Sequence, residues 1–244
     1  MDLRLANTVA LVTGGAAGIG AAIAAQLARE GCAVAIVDRP AVAAVPAAQP
    51  AIRHYQADVS DFAEAERVVS AVRSDFGRLD VLVCNAGITD DAVTWKMTES
   101  QWDRVIAVNL KGCFNYCRAA AAVFKEQKSG RIVNIASING LRGKFAQGNY
   151  AASKGGMIAF SKTLARELGR YGVNVNVVAP GMVLTDMARV LPPEFIEAAI
   201  ALQAGEQAIG HLMHGHRVDG LLGAEVELHA PDPDALLLEQ PHVV

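Results

Sequence analysis

The sequence predicts an α/β protein built on a doubly wound parallel sheet with helices on both faces. Short β-branched runs alternate with longer helical stretches, and the runs are continuously apolar, as in strands that are buried on both faces. A glycine-rich turn joins the first run to the first helical stretch. Such alternation implies right-handed crossovers between parallel strands. Without an internal repeat or a linker, residues 1–244 are expected to form one domain.

The elements follow in order along the chain. Six runs predict strands, and the third of them is the weakest: TVALVTG (8–14), AVAIVD (33–38), IRHYQAD (52–58), LDVLVCN (79–85), RIVNIAS (131–137) and VNVNVVAP (173–180). Four stretches between them predict helices: Ile19–Glu30, Ala63–Phe76, Glu99–Lys128 and Tyr150–Arg170. Residues 38–51 contain three prolines, which argue against a long helix and predict a loop or a single turn.

Composition excludes several classes of function. A formal net charge of -3 on 244 residues offers no basic surface for nucleic acid. A chain of this length can bury a core without disulfides or metals. The four cysteines stand in apolar or helical contexts without metal-ligand spacing, which predicts free thiols in a reducing compartment and no metal site: Cys32, Cys84, Cys113 and Cys117.

One segment raises the question of a membrane. Residues 5–28 carry no charge and are long enough to cross a bilayer. They are nevertheless rich in alanine and glycine, include polar residues and break at Gly14-Gly15, which argues against a span. No signal-peptide cleavage pattern follows. We therefore expect a cytoplasmic protein that does not bind membranes.

The turn after the first strand predicts a nucleotide site. Gly14, Gly18 and Gly20, with Ile19 between the last two, follow G-x-x-x-G-x-G. Glycines let the backbone turn tightly and approach a pyrophosphate, which meets the free N–H groups that open the helix. The alternative is a tight turn with close helix packing. The position between strand and helix favours the cofactor interpretation.

Acidic residues after the second and third strands predict which cofactor binds. Asp38 ends the second strand, where a carboxylate can accept hydrogen bonds from the adenosine ribose and repel a 2′-phosphate. This favours NAD(H) over NADP(H), although the neighbouring Arg39 could hold a phosphate. Asp58, followed by Val59, stands where a third strand would end beside the adenine. The alternative for Asp58 is a helix N-cap or a turn residue.

The stretch NYAASKGG (149–156) sets Tyr150 and Lys154 one helical turn apart on the same face. They are either a solvated pair on an ordinary amphipathic helix or a proton donor and the cation that tunes it. A free phenol has a pKa near 10, and a neighbouring cation stabilises its ionised form. Reduction of a ketone leaves charge on oxygen, which requires a hydrogen-bond donor and a proton at that place.

With the glycine turn, CNAG (84–87), NLKG (109–112), Ser137 and the Tyr150/Lys154 pair in one order, residues 1 to about 200 resemble the short-chain dehydrogenase/reductase family. Most similar is its group of 3-oxoacyl-[acyl-carrier-protein] and acetoacetyl-CoA reductases. The resemblance implies a single Rossmann-type domain, usually a homotetramer or dimer, which binds a ketone, alcohol or acyl thioester above the carboxyl ends of the strands.

The resemblance also implies roles for individual residues. It matches Asn109, Ser137, Tyr150 and Lys154 to the family's catalytic four, where the Asn position bends a helix and holds a water that relays protons to the lysine. Taken alone, Asn109 could be a surface polar residue. The remaining matches are cofactor contacts, with Cys84 standing where the family usually has Asn: Asn85, Ala86 and Gly87 at the adenosine ribose, and Pro180, Gly181 and Thr185 around the nicotinamide and pyrophosphate.

The resemblance stops near residue 200, and residues 201–244 form an atypical C-terminal segment. Either a reading-frame change or genuine divergence would produce it. Two functions therefore stay open. The first is an NAD(H)-dependent oxidoreductase that interconverts a secondary alcohol and a ketone, such as a 3-oxoacyl thioester. The second is a nucleotide-binding protein whose turnover is impaired by this segment.

Overall fold

The computed structural model describes residues 5–39 and 52–183. Six parallel strands form one sheet in the order β3-β2-β1-β4-β5-β6. The predicted doubly wound fold is confirmed. The strands are β1 Val9–Thr13, β2 Ala33–Asp38, β3 Ile52–Gln56, β4 Val81–Cys84, β5 Gly130–Ile135 and β6 Val173–Val178.

Helices flank the sheet on both faces. They are α1 Gly18–Arg29, α2 Phe62–Phe76, α3 Glu99–Val105, α4 Gly112–Gln127, the short α5 Asn139–Arg142 and α6 Gly148–Leu168, followed by a 3₁₀ turn, Gly169–Tyr171. Side chains of β1 alternate between two cores. Val9 and Leu11 pack in the larger core with α2, α4 and α6, whereas Ala10 and Val12 pack in the smaller core with α1. The strand reads as one apolar run because both of its faces are covered.

The weakest predicted strand lies at one end of this sheet order. In β3, Arg53 and His54 are exposed, whereas every residue of β1 and β4 is buried. Among the described strands β3 pairs only with β2, and a strand at the end of a sheet needs apolar residues at fewer positions, which explains its mixed composition. Within the described ranges, every helix is too short or too polar to cross a bilayer.

The predicted single helix Glu99–Lys128 is wrong in one respect. A π-helical segment, Ile106–Lys111, separates α3 from α4. In it the Asn109 amide bonds to the backbone of Ile88 rather than to solvent. Such π segments are rare and occur often at functional sites.

The start of α2 excludes one of the alternatives for Asp58. Asp61 caps α2, because its side chain accepts hydrogen bonds from the N–H groups of Ala63 and Glu64. Asp58 is therefore not the N-cap. Its carboxylate accepts from the backbone and hydroxyl of Ser60, at 2.8 and 2.7 Å, as a turn residue does. Apart from Asp38 and Arg39, the predicted loop 38–51 lies outside the described residues, and so does segment 201–244.

Candidate active site

A groove of about 340 Å³ opens at the carboxyl ends of the strands. Strand β1 pairs with β2 on one side and β4 on the other, so the chain reverses direction across the sheet here, and such switch points bind ligands. Most of the predicted site residues line the groove: Gly14, Gly18, Ile19, Asp38, Asp58, Val59, Asn85, Ala86, Gly87, Ser137, Tyr150, Lys154, Pro180 and Gly181. Gly20 and Asn109 lie behind its wall, and Thr185 lies outside the described residues.

The glycine turn is shaped by close backbone contacts. Gly14 has φ +61, and a Cβ on it would lie 2.8 Å from the Cα of Ala86. A Cβ on Gly20 would lie 2.1 Å from the carbonyl oxygen of Gly14. The N-cap residue of α1, Ala17, has no side chain that could accept from the first N–H groups of the helix, which leaves them for an anionic ligand. A dinucleotide pyrophosphate fits this turn, the glycine cradle, because the uncapped N–H groups of α1 face an anion and the glycines keep the backbone compact.

The turn after β4 fastens this cradle to the centre of the sheet. The Asn85 amide donates to the carbonyl oxygens of Thr13 and Gly14, at 3.1 and 2.9 Å. The Thr13 hydroxyl in turn accepts from the backbone N–H groups of Asn85 and Ala86. Asn85 therefore acts through its side chain as well as its backbone, and the exchange of the family's first Asn for Cys84 leaves these bonds in place.

Two carboxylates rim the adenosine end of the groove. Asp38 accepts from the N–H of Ala16 at 3.3 Å and from that of Arg39 at 2.9 Å. The Arg39 guanidinium lies 3.9 Å from the carboxylate of Asp58, with both side chains partly exposed. Burial raises the pKa of Asp58, but hydrogen bonds from Ser60 and the charge of Arg39 outweigh it and hold that pKa below its ordinary value.

The opposite end of the groove contains a serine, a tyrosine and a lysine. Ser137 follows β5 closely, whereas Tyr150 and Lys154 lie in the first two turns of α6. The Lys154 ammonium donates to the carbonyl oxygen of Ile135 at 2.7 Å and lies 5.7 Å from the centre of the Tyr150 ring. Burial lowers the pKa of Lys154 to about 8.

The pKa of Tyr150 moves in the direction opposite to that expected from Lys154. Burial raises it, the Ser137 hydroxyl lowers it in part, and the negative charge of Asp91 raises it again. Among the protein's own groups, desolvation therefore dominates. The phenol is kept in its protonated form at neutral pH.

The buried side chain of Asn109 lies behind the groove wall and bonds to the segments that form it. Its amide accepts from the N–H of Ile88 at 2.8 Å and donates to the carbonyl oxygen of Ile88 and to Ser153 Oγ, at 3.0 and 3.1 Å. Ser153 Oγ donates to the carbonyl oxygen of Tyr150 at 2.7 Å. Asn109 is fully buried, so the surface interpretation is wrong. The amide instead joins the π segment to the helix that carries Tyr150.

A series of hydrogen bonds that links Asp91 to Ser137 was not predicted from the sequence. The Gln147 amide donates to Asp91 at 2.8 Å and accepts from Asn139 at 3.1 Å, and the N–H of Asn139 donates to Ser137 Oγ at 3.2 Å. The one feature of the sequence that could have pointed to Gln147 is its position three residues before Tyr150. Its link to Asp91 spans 56 residues and depends on the fold. The chain thus reaches Ser137 through the backbone N–H of Asn139.

A glycine cradle at the switch point of the sheet, with serine, tyrosine and lysine in the same groove, defines a dinucleotide-dependent oxidoreductase. Residues 8–194 match the family described as short chain dehydrogenase, and the chain belongs to this family. The resemblance seen in the sequence is thereby confirmed, together with activity on CH–OH groups and dependence on a nicotinamide cofactor, NAD or NADP.

Several characterised proteins are similar to the chain over most of its length. The acetoacetyl-CoA reductase of Shinella zoogloeoides is 42% identical over 199 residues, which cover 81% of this chain and 83% of the relative. The (3R)-3-hydroxyacyl-CoA dehydrogenase of Rattus norvegicus is 43% identical over 82% and 83%, respectively. The 3-oxoacyl-[acyl-carrier-protein] reductase FabG of Staphylococcus aureus is 43% identical over 77% and 79%.

Proposed function

We propose that this protein is an NAD(H)-dependent reductase of 3-oxoacyl thioesters, or a related hydroxyl dehydrogenase. The observation that carries the proposal is that Ser137, Tyr150 and Lys154 line the same groove as the glycine turn. Relatives named for acetoacetyl-CoA, 3-hydroxyacyl-CoA and 3-oxoacyl-[acyl-carrier-protein] support a thioester substrate.

Each of the four residues receives a role from its surroundings. The cofactor, when bound, supplies or accepts the hydride. Tyr150 donates a proton to the substrate oxygen in reduction, and its raised pKa keeps the phenol in the protonated form that can donate. Ser137 holds that oxygen by a hydrogen bond. Asn109 positions the helix that carries Tyr150, because its amide donates to Ser153 Oγ and Ser153 Oγ donates to the carbonyl oxygen of Tyr150.

Lys154 supplies the positive charge beside the reacting oxygen. In the described part of the chain its hydrogen bond goes to Ile135, which leaves two of its three ammonium protons for a cofactor ribose. A pKa of about 8 keeps the amine mostly charged at pH 7. We expect the charge, and with it cofactor binding, to weaken as the pH rises through this value.

The preference for NAD(H) rests on the acidic rim. Asp38 extends over the end of β2 and would repel a 2′-phosphate. Arg39, which could bind such a phosphate, faces Asp58 instead. The four thiols of the described residues are free and buried, which supports a cytoplasmic location. We further propose one domain over residues 1–244 and a homo-oligomer, a dimer or tetramer.

A second candidate is a nucleotide-binding protein without useful turnover. It is favoured by the C-terminal segment, since the family match ends at residue 194. Following NADH and NADPH absorbance with 3-oxoacyl thioesters and small ketones separates the two. We expect turnover of a 3-oxoacyl thioester, faster with NADH. Tight NADH binding with no turnover of any ketone or alcohol would establish the second candidate.

A further inference from the structure

Three of the four cysteines meet behind the groove. Cys84 ends β4, whereas Cys113 and Cys117 lie one turn apart on α4. The sulfur of Cys117 is 3.8 Å from that of Cys84 and 3.9 Å from that of Cys113, and all three sulfurs lie within 4.8 Å of one another. The sequence spacing predicted no ligand set, because 29 residues separate Cys84 from Cys113 and only the fold joins them. This three-thiol cluster plays no part in the proposed reaction.

Two of the three sulfur separations, 3.8 and 3.9 Å, match those of a metal centre. Thiolates bind Zn²⁺ at about 2.3 Å in a tetrahedron, which places the sulfurs about 3.8 Å apart. A fourth donor is adjacent, since the amide oxygen of Asn134 lies 3.6 Å from the Cys117 sulfur. The nitrogen of that amide donates to Ser161 at 2.8 Å, so the oxygen is held toward the thiols.

The charge surrounding the cluster is also suitable. Three thiolates and one divalent cation carry a net charge of minus one, which is costly to bury without a partner. The ammonium of Lys154 is buried and interacts electrostatically with Cys113 and Cys84. Its positive charge offsets that of the occupied cluster.

We propose that Cys84, Cys113 and Cys117 form a binding site for a thiophilic divalent cation such as Zn²⁺ or Cd²⁺. Binding exchanges three S–H bonds for three metal–sulfur bonds and releases three protons, without oxidation or reduction. The amide oxygen of Asn134 completes the coordination.

Occupation of the site would reach the active site, an expectation that rests on the proposed function. Cys84 directly precedes Asn85, which fastens the nucleotide cradle, and Cys113 lies one turn after Asn109. A cation that ties these two positions together restrains both halves of the groove. We therefore expect bound Cd²⁺ to slow reduction.

Titration of the reduced full-length chain with Cd²⁺ tests the site without substrate or cofactor. We expect an ultraviolet thiolate-to-metal charge-transfer band that saturates at one equivalent. C117S should weaken binding by about tenfold or more, and its hydroxyl can still donate to Asn134. C32S is the matched control, because Cys32 is buried in the other core and bonds to Thr8 at 3.1 Å. It should retain the band.

Absence of a saturable band, or an equal band in C117S, would show that the three thiols only pack the core. Should C117S fail to fold, the cadmium-113 chemical shift of the unaltered chain decides, because it must report three sulfur ligands. A shift that reports fewer sulfur ligands would overturn the site.

Turnover measurements test whether the site is coupled to the reaction. Cd²⁺ should slow the unaltered chain and C32S but spare C117S; equal inhibition of all three would reject the coupling between the metal site and turnover. The charge-transfer band is measured without turnover. The metal site can therefore be confirmed even if the proposed reaction is wrong.

Discussion

The two ends of the groove are built by opposite means. The nucleotide end, between β1, α1 and β2, is formed by glycines and backbone N–H groups, where space and uncapped donors matter. The catalytic end, between β5 and α6, is formed by buried polar side chains that bond to one another or to backbone. The glycine turn therefore depends on side chains being absent, whereas the catalytic end depends on particular groups being present.

This difference has an energetic consequence. Glycines at the cradle allow close packing, so the nucleotide end contributes to stability while it forms the site. Burial at the catalytic end shifts the pKa of Tyr150 upward and that of Lys154 downward, which is the direction that favours the neutral form of each. The catalytic end thus retains groups that cost stability, as functional sites commonly do.

The largest expected effect comes from a substitution that disables the catalytic end and leaves the nucleotide end intact. Tyr150→Phe removes the proton donor, and we expect turnover to fall about 10²–10⁴-fold because general acid catalysis contributes that much. Affinity for NADH should remain, as measured by fluorescence titration. Tyr171→Phe is the control, since its hydroxyl bonds to Arg170 away from the groove. Unchanged turnover in Tyr150→Phe would remove the tyrosine from the mechanism.

Next in size is a change that breaks the nucleotide end. Gly20→Ala would place a Cβ 2.1 Å from the Gly14 carbonyl oxygen, and we expect the free energy of unfolding to fall by about 3 kcal/mol with loss of NADH binding. Urea denaturation measures the first and titration the second. Gly169→Ala is the control, because its Cβ would meet no atom within 4 Å. Equal stability of the two variants would mean that the cradle is not closely packed.

Lys154→Met tests the contrast between the two ends of the groove through the stability of the folded protein. The pKa of Lys154, about 8 in the folded chain, is below its ordinary value near 10.4, so burial of the ammonium opposes folding. This cost is complete below about pH 8 and is relieved as the pH rises toward about 10.4. Lys154→Met should therefore raise the free energy of unfolding by about 1–3 kcal/mol at pH 7.

Urea denaturation at pH 7 and pH 9 measures this difference, which should narrow at the higher pH while turnover stays abolished at both. The control is Lys162→Met, an exposed lysine on the same helix, for which we expect little change at either pH. A variant at position 154 that is less stable at pH 7, or a difference that widens with pH, would contradict the assignment of a costly buried charge.

The smallest expected effect concerns selectivity at the nucleotide end. Asp38→Asn removes the charge that repels a 2′-phosphate while leaving an acceptor for the ribose, and we expect the ratio of NADPH to NADH efficiency to rise about tenfold, or 1.4 kcal/mol. The ratio of kcat/KM values for the two cofactors measures it. Asp103→Asn, an exposed change outside the groove, is the control. An unchanged ratio would mean that residues other than Asp38 set the cofactor preference.

Much of the fold could be predicted because the signals are local. The β1 run has no polar interruption since both cores contact it, and the mixed run of β3 marks the end of the sheet order. The glycine spacing likewise encodes a turn within one short segment. The ends of helices were less certain, as Asp61 rather than Asp58 caps α2 and a π segment interrupts Glu99–Lys128.

Residues of an ordered motif could be expected to share one groove, as they do, whereas contacts that join distant segments could not be expected from the sequence. Tyr150 and Lys154 share one helix, and their spacing alone puts them on one face. The bond from Gln147 to Asp91 and the meeting of Cys84 with Cys117 have no local pattern. Such contacts follow from how strands and helices pack together.

By itself, the sequence determined the alternation of strands and helices, the glycine turn and the one-turn spacing of Tyr150 and Lys154, because periodicity and residue chemistry act over a few positions. Only the tertiary structure decided the pKa directions of Tyr150 and Lys154, the role of Asn109 behind the groove and the assembly of the three-thiol cluster. Burial and long-range contacts exist only once the sheet has formed, which is the physical reason for the division.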